Sequence, residues 1–203
     1  MSGKSEFVFD LIKNKDLMID KPPTRIVYCF GAWQKKFASV QEECGVEFIK
    51  GLAEVLDNDE FFNPAVPTLL IIENLAQTVA DDTRCGKLFT QGIHHQNVSV
   101  ILIMQNLYKQ GKSMRDVHLN AQYLLLFKNC RDVNQVKVLE RQIGLPQLSE
   151  AYAKVTQIPY TPLLIDMKPD TPDYLRVRSN IQVGQTMHLY VARNRTKVPR
   201  HVG

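Results

Sequence analysis

Three groups of residues in this chain are of types that handle phosphates. The first is Gly3-Lys4-Ser5, followed at once by the run Glu6–Leu17, whose apolar residues fall near helical spacing. Gly-Lys-Ser opening a helix is the second half of a phosphate loop, G-x-x-x-x-G-K-[ST]. In such a loop main-chain N–H groups cradle phosphates, the lysine reaches the outer phosphates and the hydroxyl ligates Mg²⁺. On this reading Ser2, Gly3, Lys4, Ser5 and Glu6 form a nucleotide-binding segment, although the tripeptide alone is a weak signal. The second group is Glu73, which closes the apolar run Thr68–Ile72 (TLLII). A carboxylate at the tip of a buried strand is placed to hold Mg²⁺, so Ser5 and Glu73 are the expected metal-binding pair. The third is Gln105, just past the apolar run Val98–Met104 (VSVILIM), where an amide can sense a terminal phosphate or orient a water. Each group alone has an ordinary structural explanation. In this order along one chain, they point to a nucleotide site.

The elements that must position these residues are legible as alternating patterns. Arg25–Phe30 (RIVYCF), Thr68–Ile72, Val98–Met104 and Tyr123–Phe127 (YLLLF) are short, nearly continuous apolar runs, the pattern of strands buried on both faces. Between them helices are expected at Lys36–Cys44, Ala80–His94 and Met114–Asn120, with a small strand at Val46–Ile49. Further helices are expected at Val133–Ile143, capped by Asp132, and at Leu148–Gln157. Strands at Leu163–Met167 and Tyr174–Val177, around Lys168-Pro169-Asp170-Thr171-Pro172-Asp173, predict a terminal hairpin. Apolar strands alternating with helices imply an α/β fold with a mostly parallel sheet. Ligands bind such sheets at the carboxyl ends of the strands. Those ends carry Gly31-Ala32-Trp33-Gln34, Glu73-Asn74, Gln105-Asn106 and Lys128-Asn129.

Composition bounds the class. The chain has 203 residues, 44% of them hydrophobic, enough for a sizeable core. No stretch has the length and apolarity of a membrane span, and no signal-peptide pattern opens it. Its four cysteines form no C-x-x-C pair, which suits reduced thiols. His94-His95 has no partner at metal-ligand spacing. The net charge of +4 is uneven. Beyond Asp173 there is no acid, but Arg176, Arg178, Arg193, Arg195, Lys197 and Arg200 follow, which suits either a polyanion partner or a solvated tail.

With these residues in hand a family resemblance can be stated. The string Leu69-Leu70-Ile71-Ile72-Glu73-Asn74-Leu75 is similar to a family motif, LLIIDDL. It is joined by Lys87-Leu88-Phe89-Thr90, His94-His95-Gln96-Asn97-Val98-Ser99-Val100 and Gln105-Asn106-Leu107. Further matches are Leu119–Tyr123, Leu126–Asp132 and Leu164–Pro172. The chain resembles the poxvirus-type genome-packaging ATPases, a viral branch of the FtsK/HerA translocases, in the forms found in adintovirus- and Polinton-like elements. The resemblance spans Ser2 to about Asn180. It implies an additional-strand P-loop (RecA-like) core with sheet order 5-1-4-3-2. Arg25–Phe30, Leu69–Ile72, Val98–Met104 and Tyr123–Phe127 would take places 2, 3, 4 and 5. Strand 1 is missing from the sequence, so the resemblance implies a domain over residues 1–183 truncated at its N-terminus, with residues 184–203 as a basic, disordered tail. It also implies ATP and Mg²⁺ as cofactors. The implied partners are double-stranded DNA, further copies in a homo-oligomeric ring and the proteins of a capsid vertex, with no membrane. The place of action would be the viral assembly site in the host nucleus or cytoplasm.

Two departures bear on activity. The family has two acids where this chain has Glu73-Asn74. Glu73 is one methylene longer than aspartate but still ligates Mg²⁺, whereas the Asn74 amide cannot accept the proton of an attacking water. Either Glu73 serves both roles, a nearby acid such as Asp81 or Asp82 substitutes, or hydrolysis is lost. The expected catalytic set is Glu73, Asn74, Gln105 and Arg115, with Arg115 as the arginine offered to a neighbouring subunit and Arg131 the second choice. DNA phosphates are expected to meet Lys109 and Lys112, in the loop after the Gln105 strand, and Arg193 and Arg195 in the tail. Trp33-Gln34 resembles a family motif, with Trp33 expected on the core or at a subunit contact. The competing readings are a P-loop kinase, for which no Arg-rich lid is seen, and a non-hydrolysing remnant of the packaging ATPase.

Overall fold

The computed structural model describes residues 3–58, 60–92, 97–131 and 134–192. These fall into two compact units, residues 3–121 with 182–184 and residues 122–181 with those from 185 on.

The first unit is built on a four-stranded parallel sheet. Its strands are β1 (Arg25–Phe30), β2 (Glu47–Lys50), β3 (Thr68–Glu73) and β4 (Val98–Ile103), in the order β2-β1-β3-β4. The parallel α/β arrangement expected from the apolar runs is present, and β3 is buried along its whole length. Register ties the strand tips together. Phe30 pairs with Glu73, and Glu73 with Ile103. Alternation along the strands divides the core into two faces. On one face Ile26, Tyr28, Phe30, Leu69 and Ile71 pack under α1 (Lys4–Lys13) and α3 (Lys36–Cys44). On the other, Val27, Cys29, Leu70 and Ile72 pack under α4 (Ala53–Asp57), α5 (Ala76–Asp81), α6 (Thr83–Lys87) and α7 (Met114–Asn120).

Three helices depart from expectation. The first, expected through Leu17, ends at Lys13. Asn14 turns its side chain back onto the Asp10 carbonyl at 3.0 Å, and a single turn, α2 (Lys15–Met18), follows. α4 was not foreseen in the sequence. The helix expected over Ala80–His94 is instead α5 and α6, then a π-helical turn over Leu88–Gly92. The break is at Asp82, whose extended backbone lets its side chain accept the Arg84 N–H at 2.9 Å and cap a new helix.

In the second unit β5 (Tyr123–Leu126), β6 (Leu163–Asp166), β7 (Val177–Ser179) and β8 (His188–Leu189) form an antiparallel sheet in that order. This corrects the placing of Tyr123–Phe127 as place 5 of the parallel sheet. β5 pairs antiparallel with β6 over a four-residue register, Tyr123 against Asp166 through Leu126 against Leu163. The stretch Tyr174–Val177, expected as a strand, is a 3₁₀ turn over Asp173–Leu175. Register with β6 starts at Val177; the Arg176 carbonyl accepts the Asp166 N–H at 2.8 Å, and its side chain reaches the Asp173 carboxylate and the carbonyls of Asp166 and Lys168. β8 lies within the residues expected as tail, and 193–203 lie outside the described residues. Helices α8 (Asn134–Ile143) and α9 (Leu148–Val155) complete the unit. From α9 the Tyr152 hydroxyl donates to the Phe127 carbonyl at 3.1 Å and accepts the Asn129 N–H at 2.8 Å, holding the chain as it leaves β5.

No helix among the described residues is long and apolar enough to cross a membrane. All four cysteines are unpaired.

Candidate active site

Strand parity decides where Glu73 points. Leu69 and Ile71 face α1 and α3, so Glu73, next in the alternation, faces them too. α1 is fastened to this face by Val8, Phe9 and Ile12, and its first turn is thereby brought to the tip of β3. The outcome is a contact between positions 68 apart in sequence, in which Ser5 Oγ donates a short hydrogen bond to Glu73 Oε1. The other carboxylate oxygen, Oε2, accepts the Tyr28 hydroxyl at 2.7 Å and Gln34 Nε2 at 3.3 Å. Glu73 is only 4% exposed. Burying a carboxylate is costly unless it is hydrogen-bonded, and three donors offset that cost here.

The rest of the segment expected to bind phosphate divides by role. Gly3 heads α1 in a left-handed conformation, φ 83°, which glycine adopts without a Cβ penalty. Its carbonyl accepts the Phe7 N–H at 2.9 Å, the first bond of the helix. The amides of a helix's first turn have no acceptor within the helix and face outward as anion donors. Lys4 is half-buried, and burial pushes its ammonium below the ordinary lysine range. The Glu6 carboxylate is turned away onto Lys36, so only its main chain belongs to the loop. Ser2 lies outside the described residues.

This donor set suits Mg²⁺ with a phosphate. Among the described residues no three His, Cys, Asp or Glu side chains gather as metal ligands. Mg²⁺ needs no such cluster, since it is held by one or two protein oxygens, substrate phosphate and water. Ser5 Oγ and Glu73 Oε1, already within a hydrogen bond of each other, are the two protein oxygens that could hold it.

The other expected residues are placed less tightly. Gln105 is exposed, two positions past Ile103, the residue in register with Glu73, at the same end of the sheet. Asn74 is exposed and left-handed at φ 58°, and it carries the chain sharply out of β3. Its carbonyl lies so near Gly31 that a Cβ there would come within 2.8 Å. Asp81 accepts Gln77 Nε2 at 2.6 Å, and Asp82 is held by Arg84, whose guanidinium keeps its carboxyl below the ordinary aspartate range. That engagement suits Asp82 poorly as a proton acceptor. Arg115 is exposed on α7, and Arg131 is exposed in the second unit. Lys109 is engaged, donating to Gln77 Oε1 at 2.6 Å, whereas Lys112 is exposed. The loop bearing both is pressed onto α5. A Cβ at Gly111 would fall 2.4 Å from that of Ala80, and buried Ser113 donates to the Asp82 carbonyl at 2.7 Å. Trp33 is 54% exposed and packs edge-on against Phe30 and Phe37, each at 5.4 Å. His94, His95, Arg193 and Arg195 lie outside the described residues.

Tyr28 was not singled out in the sequence. The available signal was a hydroxyl in the middle of the apolar run RIVYCF, since a fully buried phenol needs a partner. Comparison of the chain with family models, with curated proteins and with solved structures finds no match.

Proposed function

We propose that this chain is the ATPase of a viral DNA-packaging apparatus, a P-loop NTP hydrolase that couples ATP hydrolysis to translocation of double-stranded DNA. The observation that carries the nucleotide half of this reading is the Ser5–Glu73 hydrogen bond. Two motif residues chosen for Mg²⁺ by type alone meet in space, one at a helix N-terminus and one at a parallel-strand tip. The motif strings around Glu73, Gln105 and Leu164–Pro172 support the packaging half, and with it the ring of like subunits at a capsid vertex and an assembly site in the host nucleus or cytoplasm.

When bound, Mg²⁺ neutralises phosphate charge that builds up during phosphoryl transfer. The chain's own residues then have distinct tasks. Main-chain amides from Lys4 to Glu6 receive phosphate oxygens, and Lys4 lies beside them with its charge. Ser5 Oγ and Glu73 Oε1 would hold the ion. Gln105 orients the attacking water. Arg115, exposed on the same unit, is available to a neighbouring subunit. Asn74 offers a hydrogen bond to that water but no site for its proton.

That last limitation favours a second reading, in which the chain binds nucleotide without hydrolysing it. Steady-state ATP hydrolysis with and without double-stranded DNA separates the readings. A motor hydrolyses ATP only with Mg²⁺, faster with DNA, and loses the activity in Lys4→Ala. Binding without turnover supports the second reading. Turnover that needs a small-molecule acceptor and ignores DNA identifies a kinase. A chain that binds no nucleotide overturns all three.

A further inference from the structure

We infer that Tyr28 and Gln34 are positioning residues that fix which oxygen of Glu73 is presented to Ser5 and to a bound metal. The inference rests on the nucleotide-site reading and goes beyond it, because neither residue belongs to the phosphate-loop segment or to the acid.

Glutamate at a strand tip has one more side-chain torsion than aspartate, and an unbraced Glu73 could rotate its carboxylate away from α1. Here the two oxygens are divided. Oε1 meets Ser5, and Oε2 is gripped by Tyr28 and Gln34. The grip on the Tyr28 side is rigid. Tyr28 is fully buried, and its ring is wedged between Phe9 at 5.8 Å, Phe37 at 5.3 Å and Phe48 at 5.2 Å. Gln34 closes the same oxygen from the loop after β1, next to Trp33, the one tryptophan of the chain. The strand sets the height of Glu73, and these two donors set its rotation.

A purely structural role for Tyr28, satisfying its own buried hydroxyl, predicts altered stability without altered metal dependence. The test measures binding of a fluorescent ATP analogue to the full chain with Mg²⁺ and with EDTA. In Tyr28→Phe, the affinity gained from Mg²⁺ should fall about tenfold, the usual effect of losing one hydrogen bond to a charged group. Affinity in EDTA should stay unchanged. Gln34→Ala, made in a partly exposed loop, should show the same selective loss and carries the test if Tyr28→Phe does not fold. A Mg²⁺ titration followed by Trp33 fluorescence should show a matching rise in the midpoint for Tyr28→Phe. If the unaltered chain binds the analogue with a Mg²⁺ dependence that both variants keep, the positioning role fails and the nucleotide site stands. If the unaltered chain binds no analogue, the nucleotide reading fails and takes the inference with it.

Discussion

Asn74 meets two demands at one position. The chain must leave β3 in a left-handed turn, and in the ATPase proposed above the residue at this place would accept the proton of an attacking water. Asparagine serves the first demand well, since its side chain tolerates φ near 58° better than most. It fails the second, because an amide has no basic lone pair at neutral pH. Aspartate tolerates the same backbone and adds the base. Asn74→Asp should therefore raise Mg²⁺-dependent ATP turnover by roughly 10²-fold, the lower range for a positioned general base. The side chain is exposed, so stability should change by less than about 0.5 kcal/mol. Steady-state kinetics with a thermal melt checks both. Unchanged turnover in a well-folded variant would show that position 74 takes no part in proton transfer.

At the scale of elements, the site depends on two strand-to-loop exits lying against each other. The Gly31 N–H donates to the Glu73 carbonyl at 3.1 Å, and the missing Cβ of Gly31 leaves room for the Asn74 carbonyl. Gly31→Ala must push the exits apart at a cost of about 1–3 kcal/mol, the usual range for overpacking. Gln34 sits three residues on, so the same change should weaken Mg²⁺-dependent nucleotide binding more than a loss of stability alone explains. A melt and a titration on one preparation distinguish the two effects. Much of this architecture is legible in sequence. RIVYCF, TLLII and VSVILI announce strands because apolar residues dominate them and no charge falls inside them, and the same period of two that buries Leu69 and Ile71 sends Glu73 toward α1. The partner of Glu73 on β1 is not legible, since register between residues 43 positions apart is not written in either strand. The direction of β5 is hidden for a related reason. YLLL has no alternation, and a run without alternation is equally compatible with parallel and antiparallel neighbours. Asp82 illustrates a third limit, where one capping side chain splits a helix that apolar spacing had made continuous.

For the whole molecule the decisive quantity is which of its 25 lysines and arginines remain available to a polyanion. Of the six bases beyond Asp173, Arg176 is engaged by Asp173 and two carbonyls, and Arg178 by the buried Asp166 at 2.6 Å. These two hold the second unit together and are unsuited to reading DNA. In the loop after β4 Lys109 is occupied by Gln77, whereas Lys112 and Arg115 are exposed on a loop and helix start anchored through Gly111 and Ser113. A base held on an anchored loop loses less freedom on meeting a phosphate than one on an unanchored chain. If DNA is the partner, the logarithm of its affinity should fall linearly with the logarithm of salt concentration, at about 0.9 per phosphate contacted. Lys112→Ala should then reduce that slope by about one and weaken binding equally on unrelated sequences. Arg176→Ala should lower the melting temperature and leave the slope unchanged. Fluorescence anisotropy of a labelled duplex over a salt series measures both. The reverse pattern, a slope that follows Arg176 and ignores Lys112, would move any DNA contact to the second unit. It would also remove the proposed link between a phosphate-binding loop after β4 and a nucleotide site at the end of the same sheet.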